Sequence, residues 1–200
     1  MAEVEVAFKV RDKQSKCEKL LKKAGYKLFW KAKTHDIYFT KQELTAEMSE
    51  QELKFACVRI RCSNGGYSVD NYHTYNHSKP NKFKCTKDDA IQIAEELDNS
   101  GLVKVFDTSK SDVVYKRGNR YHQLQDIEGI GLLDYVYDED IKKEPENVQV
   151  EILQQEMTDV GIALEYKNGV DKLRTLLNNG DLCFSHNKNG NYNLTQTENS

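Results

Sequence analysis

The first recognisable segment of this chain, residues 3–10, alternates strictly between two kinds of side chain. Its even positions are apolar and three of its four odd positions are charged, in the order Glu3-Val4-Glu5-Val6-Ala7-Phe8-Lys9-Val10. Successive side chains of a β-strand point to opposite faces of a sheet, so this pattern predicts a strand with one buried face. The alternation returns over residues 55–62, where Arg59 and Arg61 alternate with Val58 and Ile60.

A few helices interrupt a long series of predicted strands. Apolar stripes and end signals predict helices over residues 12–24, 88–97, 148–160 and 169–177. We predict two short strands within 26–40, and separate strands at 103–106 and 113–115. The turn Asn64-Gly65-Gly66 is typical of a β-hairpin. Because strands and helices do not alternate as in a parallel sheet, the order predicts an α+β fold with an antiparallel sheet or barrel and helices outside it.

Composition excludes several classes of protein. The 200 residues carry a formal net charge of −3, which argues against a globally basic nucleic-acid binder. No apolar run approaches the roughly 20 residues of a membrane-spanning helix, and we expect no membrane partner. The N-terminal residues lack the basic and apolar regions of a signal peptide. With five cysteines and no C-x-x-C pair, we expect reduced thiols and a cytoplasmic protein.

The second face of the predicted strands is charged rather than simply polar. Its charged positions are Glu3, Glu5, Lys9, Arg59, Arg61, Lys82, Lys84, Lys116 and Asp126. One interpretation is a solvated outer face, which is common in antiparallel sheets. The other is a barrel with a charged interior, favoured by the apolar stripes of the helices, which need an apolar outer surface to cover. Such an interior suits a polyphosphate, with basic residues on the oxygens and carboxylates on a divalent metal.

Five segments, in order, resemble motifs of the CYTH domain, the superfamily of triphosphate tunnel metalloenzymes. They are residues 3–10, Asp36-Ile37-Tyr38-Phe39, Val58-Arg59-Ile60-Arg61, Asp126-Ile127-Glu128-Gly129-Ile130-Gly131 and residues 169–177. The Asp126 to Gly131 segment is similar to the class IV adenylyl cyclase branch. The resemblance predicts a tunnel domain over residues 1–180, followed by a polar C-terminal tail over 181–200.

The resemblance implies an eight-stranded antiparallel β-barrel with helices packed on the outside. It implies that Glu3, Glu5 and Asp126 are catalytic and bind Mg²⁺ or Mn²⁺, and that Arg59 and Arg61 bind phosphate. The implied activity is that of a metal-dependent lyase, such as an adenylyl cyclase, or of a triphosphate phosphohydrolase.

The chain departs from the family pattern at several charged positions. Ala7 stands where the family has lysine, and two pairs stand where it has acidic pairs: Lys82 with Lys84, and Tyr135 with Tyr137. Fewer carboxylates mean weaker metal binding. We expect Lys82, Lys84 and Lys116 to add to the phosphate-binding set, and Tyr135 and Tyr137 to stack on a base or donate hydrogen bonds.

Three functional hypotheses remain open from the sequence. The first is an enzyme that binds and turns over a nucleotide or polyphosphate. The second is a non-catalytic module that binds or sequesters a nucleotide. The third is a re-purposed lyase or hydrolase for an unusual adenosyl nucleotide, in which Asp70, Asp112 and the tyrosines would accommodate a cationic or adenosyl part. A homo-oligomer is compatible with each.

Overall fold

The computed structural model of the chain describes residues 6–45, 47–78 and 80–165. These residues contain eight strands: β1 (Val6–Lys9), β2 (Lys27–Thr40), β3 (Val58–Ser63), β4 (Gly66–Asp70), β5 (Lys82–Cys85), β6 (Val103–Arg117), β7 (Arg120–Ile127) and β8 (Gly131–Asp138). They also contain four α-helices: α1 (Gln14–Lys23), α2 (Glu50–Ala56), α3 (Lys87–Asn99) and α4 (Glu146–Val160). Two short 3₁₀ helices span Tyr72–Thr74 and Glu139–Ile141.

The strands form a sheet in the order β1-β8-β7-β6-β2-β3-β4-β5. The predicted α+β class and the eight antiparallel strands are confirmed. Strands β1 and β5 are the end strands of this order, so the described hydrogen bonds do not form the closed ring of a barrel. The predicted helix over 169–177 and the predicted tail over 181–200 lie outside the described residues.

Two strands are much longer than predicted. The sequence predicts two short strands within 26–40, but β2 is one strand of 14 residues, and β6 joins the strands predicted at 103–106 and 113–115. Both predictions break where buried polar residues interrupt the apolar pattern. Thr34 in β2, and Thr108 and Asp112 in β6, are nearly inaccessible to solvent although they are polar. A prediction from hydropathy alone therefore divides β2 and β6, which are continuous strands, into shorter ones.

The chain divides into two compact units. Among the described residues, the first unit comprises 6–32 and 110–165, and the second comprises 33–45, 47–78 and 80–109. Strands β2 and β6 contribute residues to both units. Within the described residues, every helix is too short or too polar to cross a lipid bilayer.

The core of the first unit lies between one face of its strands and helices α1 and α4. Val6 and Phe8 of β1, and Val10 just after it, face this core as the alternation predicts, and they pack with Leu21 of α1 and Leu153 of α4. The opposite face of β1 carries Ala7 and Lys9. The apolar stripe of each helix is thus buried against the even positions of β1.

The core of the second unit is built in the same way around α3. Ala90, Ala94 and Leu97 of this helix are fully buried and pack in one cluster with Ile60 of β3 and Val69 of β4. A capping box at Thr86 and Asp89 begins α3. Strands β3 and β4 are joined by the predicted hairpin, whose Asn64 and Gly65 have φ of 47° and 78°. Positive φ at both central positions is what a tight hairpin turn requires.

Candidate functional site

The face of the second unit that points away from α3 carries two rows of polar side chains. Pairing of β2, β3, β4 and β5 aligns the first row, which is Asp36, Arg61, Ser68 and Lys84. The same pairings align the second row, which is Tyr38, Arg59, Asp70 and Lys82. Rows two residues apart on a strand are separated by about 6.6 Å. We call these eight residues the basic face.

In the first row, a bidentate ion pair joins Arg61 to Asp36. Arg61 Nε donates to Asp36 Oδ1 at 2.6 Å, and Nη2 donates to Oδ2 at 2.7 Å. The Asp36 carboxylate is 1% exposed and the Arg61 guanidinium is 22% exposed. Lys84 is exposed beyond Ser68. It has no ion pair or hydrogen bond among the described residues, so its ammonium is available to a ligand.

In the second row, Asp70 lies between two cations. Arg59 Nε donates to Asp70 Oδ2 at 2.8 Å, and Arg59 Nη2 donates to the same oxygen. Lys82 Nζ lies 3.5 Å from Asp70 Oδ1. Burial raises the pKa of Tyr38 to about 12, with the charge of Asp36 adding to the shift and Arg59 opposing it. The Tyr38 phenol is therefore neutral at physiological pH.

The basic face has an excess of positive charge. It carries four cations and two carboxylates, and each carboxylate accepts hydrogen bonds from a guanidinium that lies beside it. Guanidinium and ammonium groups on one face are the donors that phosphate oxygens prefer. The sequence prediction named the four cations but not Asp36, Tyr38 and Asp70 as their partners. The two-residue alternation along each strand, together with the hairpin at Asn64, would have been enough to predict that these three residues lie beside the four cations.

The described residues do not by themselves supply the divalent-metal site that the resemblance implies. They contain no group of three or more His, Cys, Asp or Glu side chains that could hold a metal ion. On the basic face, both carboxylates are already neutralised by arginines. Glu3 and Glu5, two of the three predicted metal ligands, lie outside the described residues.

Three predicted site residues lie in the first unit, on its face opposite α1 and α4. Cross-strand pairing aligns Lys116 with Tyr121, and Tyr121 with Tyr137. The rings of Tyr121 and Tyr137 are stacked, with centroids 4.4 Å apart, and Lys116 Nζ lies 4.5 Å from the Tyr121 centroid. Tyr135 pairs with Ala7 in the neighbouring strand. The structure therefore brings Lys116 and Tyr137 together around the ring of Tyr121.

Asp126 lies on the other face of the first unit. It pairs with Leu132 and Ser111, in the same alternation as the buried Leu124. Its carboxylate is exposed and lines an open groove of about 820 Å³ beside the start of α1. The register therefore places Asp126 on the face opposite the one that carries Tyr135 and Tyr137. The physical reason is the two-residue period of a strand, which puts Asp126 and Tyr135 on opposite faces.

No protein-family model and no curated protein matches the sequence. Solved structures do match. The PH1012 protein from Pyrococcus horikoshii OT3 is 17% identical, with a TM-score of 0.57 over 86% of this chain and 98% of that one. A “putative adenylate cyclase” from Vibrio parahaemolyticus is 14% identical, with a TM-score of 0.54 over 88% of this chain and 97% of that one.

A third solved structure is similar over most of the chain. It is the “putative adenylyl cyclase” HpAC1 from Hippeastrum, described as having a dominant triphosphatase activity. It is 15% identical, with a TM-score of 0.55 over 88% of this chain and 96% of that one. At these identities the likeness concerns the fold alone. Together with the strand order, it shows that the chain has the CYTH-like, or triphosphate tunnel, fold that the sequence motifs predicted.

Proposed function

We propose that the basic face of the second unit binds a phosphate-rich nucleotide or a polyphosphate. The observation that carries the proposal is the excess of cations on one face of four adjacent strands. Arg59 and Arg61 are held in fixed orientations by their carboxylate partners. Lys84 has an unengaged ammonium at the exposed end of its row. A ligand with several phosphates would contact all three at once.

The similar structures support the same class of ligand. Two of them are described as a “putative adenylate cyclase” and a “putative adenylyl cyclase”, and the second of these as having a dominant triphosphatase activity. Both activities involve a triphosphate. We therefore keep turnover, by lyase or phosphohydrolase chemistry, as a second candidate function. For this second candidate the resemblance implies Glu3, Glu5 and Asp126 as the metal ligands, whereas both carboxylates of the basic face are already paired with arginines.

Asp70 distinguishes a simple polyphosphate from a ligand that also carries a cation. A polyphosphate is repelled by the Asp70 carboxylate, so Asp70→Asn should tighten its binding. A ligand with a cationic part would lose an attractive partner in the same variant, so its binding should weaken. The direction of the change therefore separates our leading hypothesis from that of an unusual adenosyl nucleotide.

The proposal is tested by calorimetric titration of tripolyphosphate and ATP, with and without Mg²⁺. We expect Lys84→Gln to weaken tripolyphosphate binding about fivefold, which is typical of one exposed ion pair. The matched control is Lys87→Gln, which removes an exposed lysine from α3 of the same unit, away from the basic face. Unchanged binding in Lys84→Gln, or an equal loss in the control, would contradict the proposal.

Turnover is tested separately by phosphorus NMR of ATP and tripolyphosphate incubated with the protein and Mg²⁺ or Mn²⁺. Pyrophosphate together with cyclic AMP would establish a lyase, and orthophosphate would establish a phosphohydrolase. Either activity should be lost in Glu5→Gln. Binding without any change in the spectra would favour the non-catalytic module for these ligands.

A further inference from the structure

A basic stretch of the first unit stands out against the negative charge of the whole chain. Residues 19–31 contain five lysines and no aspartate or glutamate, although the chain has a net charge of −3. This stretch covers the end of α1 and the start of β2. We call its last five residues, Lys27-Leu28-Phe29-Trp30-Lys31, the lysine-flanked strand.

The three residues between the lysines are large, apolar and exposed. Leu28 is 52% exposed, Phe29 is 64% exposed and Trp30 is 43% exposed. Single exposed apolar side chains are normal, but a contiguous group marks an interaction surface. Successive side chains of a strand point to opposite sides. Leu28 and Trp30 therefore share one side of this strand, and Phe29 lies on the other side between the two lysines, so each side presents an exposed apolar side chain.

Contacts with buried residues of the first unit hold the lysine-flanked strand in place. Tyr26, directly before it, is 2% exposed and its hydroxyl donates to Glu156 at 2.7 Å. The Phe29 ring makes an edge contact with Tyr121, with centroids 6.0 Å apart, and Lys116 Nζ lies 5.5 Å from the Phe29 centroid. The backbone of the strand and the Phe29 ring are thus already held in place, so binding of a partner would cost little conformational entropy.

We propose that the lysine-flanked strand docks the protein onto an anionic lipid surface. Interfacial anchors combine aromatic and aliphatic side chains that enter the headgroup region with lysines that contact acidic lipids. Trp30 and Phe29 supply rings of the kind enriched at membrane interfaces. This partner differs from the sequence expectation of no membrane partner, which rested on the lack of an apolar span.

The same features argue against two other occupants. Single-stranded nucleic acid stacks its bases on exposed rings that form one platform, whereas Trp30 points to the side opposite Phe29, and the Tyr121 ring beside Phe29 is only 7% exposed. A second copy that used this patch symmetrically would bring two lysine-rich stretches together. Their repulsion opposes such a dimer. An anionic lipid surface has neither difficulty, because its headgroups can contact apolar side chains and lysines on either side of the exposed segment, and it is itself negative.

Trp30 is the only tryptophan of the chain, so its fluorescence reports directly on this surface. We would titrate the full chain with vesicles of equal parts phosphatidylcholine and phosphatidylserine, and with phosphatidylcholine vesicles. With the anionic vesicles we expect co-sedimentation, a blue shift of the Trp30 emission and protection from acrylamide quenching. Replacing Lys27 and Lys31 by Gln should weaken binding about 25-fold, at about fivefold for each charge.

Phe29→Ser should weaken vesicle binding about tenfold or more, because a large apolar side chain no longer enters the bilayer. The matched control is Phe55→Ser, which removes a ring of similar exposure (53%) from the second unit. Tripolyphosphate binding should be unchanged by the Lys27 and Lys31 substitutions, which keeps this test separate from that of the basic face.

Three results would overturn the proposal. The first is no emission shift and no sedimentation with anionic vesicles. The second is an emission shift with a single-stranded oligonucleotide but not with vesicles, which would identify a nucleic-acid surface. The third is a Trp30 emission that is already blue and protected in the free protein, which would mean that another part of the chain or a second copy covers the strand.

Discussion

The buried pair of His122 and Asp134 allows a quantitative test of the packing in the first unit. His122 Nδ1 lies 2.7 Å from Asp134 Oδ2, and both side chains are 0% exposed. Their other polar atoms, His122 Nε2 and Asp134 Oδ1, have no hydrogen-bond partner among the described residues. The pair is surrounded by apolar groups, since Asp134 is aligned with Phe8 and Leu124 across the sheet.

Removing one member should cost far more stability than replacing both. Asp134→Val leaves both imidazole nitrogens of His122 buried without a partner. His122→Phe likewise leaves the Asp134 carboxylate buried without a partner. Each single change should lower the free energy of unfolding by about 3–5 kcal/mol. In the double variant no polar group is stranded, so only overpacking of about 1–2 kcal/mol remains. The phenyl ring can keep the edge contact that His122 makes with Tyr26, at a centroid distance of 4.8 Å.

The assay is urea unfolding of the four proteins of this cycle, followed by far-UV circular dichroism. The sum of the free energies of unfolding lost in the two single variants should exceed the loss in the double variant by about 4 kcal/mol or more. If the double variant instead loses the sum of the two single effects, the two side chains are not coupled and our reasoning is wrong. A double variant less stable than either single one would refute it as well.

Three further predictions concern other buried or half-buried groups. The hydrogen bond with Asp107 raises the pKa of His35 above 6.5 and lowers that of Asp107 to about 2. The stabilisation that this pair contributes is fully present below the ordinary pKa of histidine, and it is lost as the pH rises through the raised pKa of His35. The stability difference between the native protein and His35→Gln should therefore shrink in urea titrations as the pH rises above the ordinary pKa of histidine, and a constant difference would contradict the pairing. Glu156 accepts hydrogen bonds from one tyrosine and two arginines and is 6% exposed. Glu156→Gln should therefore lower the free energy of unfolding, measured in a thermal scan, by about 3 kcal/mol. A loss below about 1 kcal/mol would mean that solvent already screens these ion pairs. Burial raises the pKa of Cys17 and Cys57 to about 12, so mass spectrometry should find neither labelled by a thiol reagent until urea is added, and rapid labelling of the folded protein would disprove their burial.

The local patterns that the sequence predicted correctly depend on neighbouring residues only. The alternation in β1, the hairpin at Asn64 and the helix that begins after Thr86 are all confirmed. Each follows from backbone preferences or from hydropathy with the period of one element. These are enough to predict the α+β class and, through ordered motifs, the CYTH-like fold.

Features that depend on pairing between distant segments were accessible only from the tertiary structure. Asp126 carries the charge that the prediction required, but the register of β7 puts it on the face opposite Tyr135 and Tyr137. Arg61 was predicted as a phosphate ligand, yet its bidentate bond to Asp36 is visible only once β2 and β3 are aligned.

The same contrast applies to the start of β2. The sequence by itself determined that Leu28, Phe29 and Trp30 are large and apolar, which is the usual signature of a buried strand. Only the tertiary structure decided that they are exposed. Hydropathy states the free energy that burial of a side chain would release. Whether another part of the chain is there to bury it depends on packing between elements far apart in sequence.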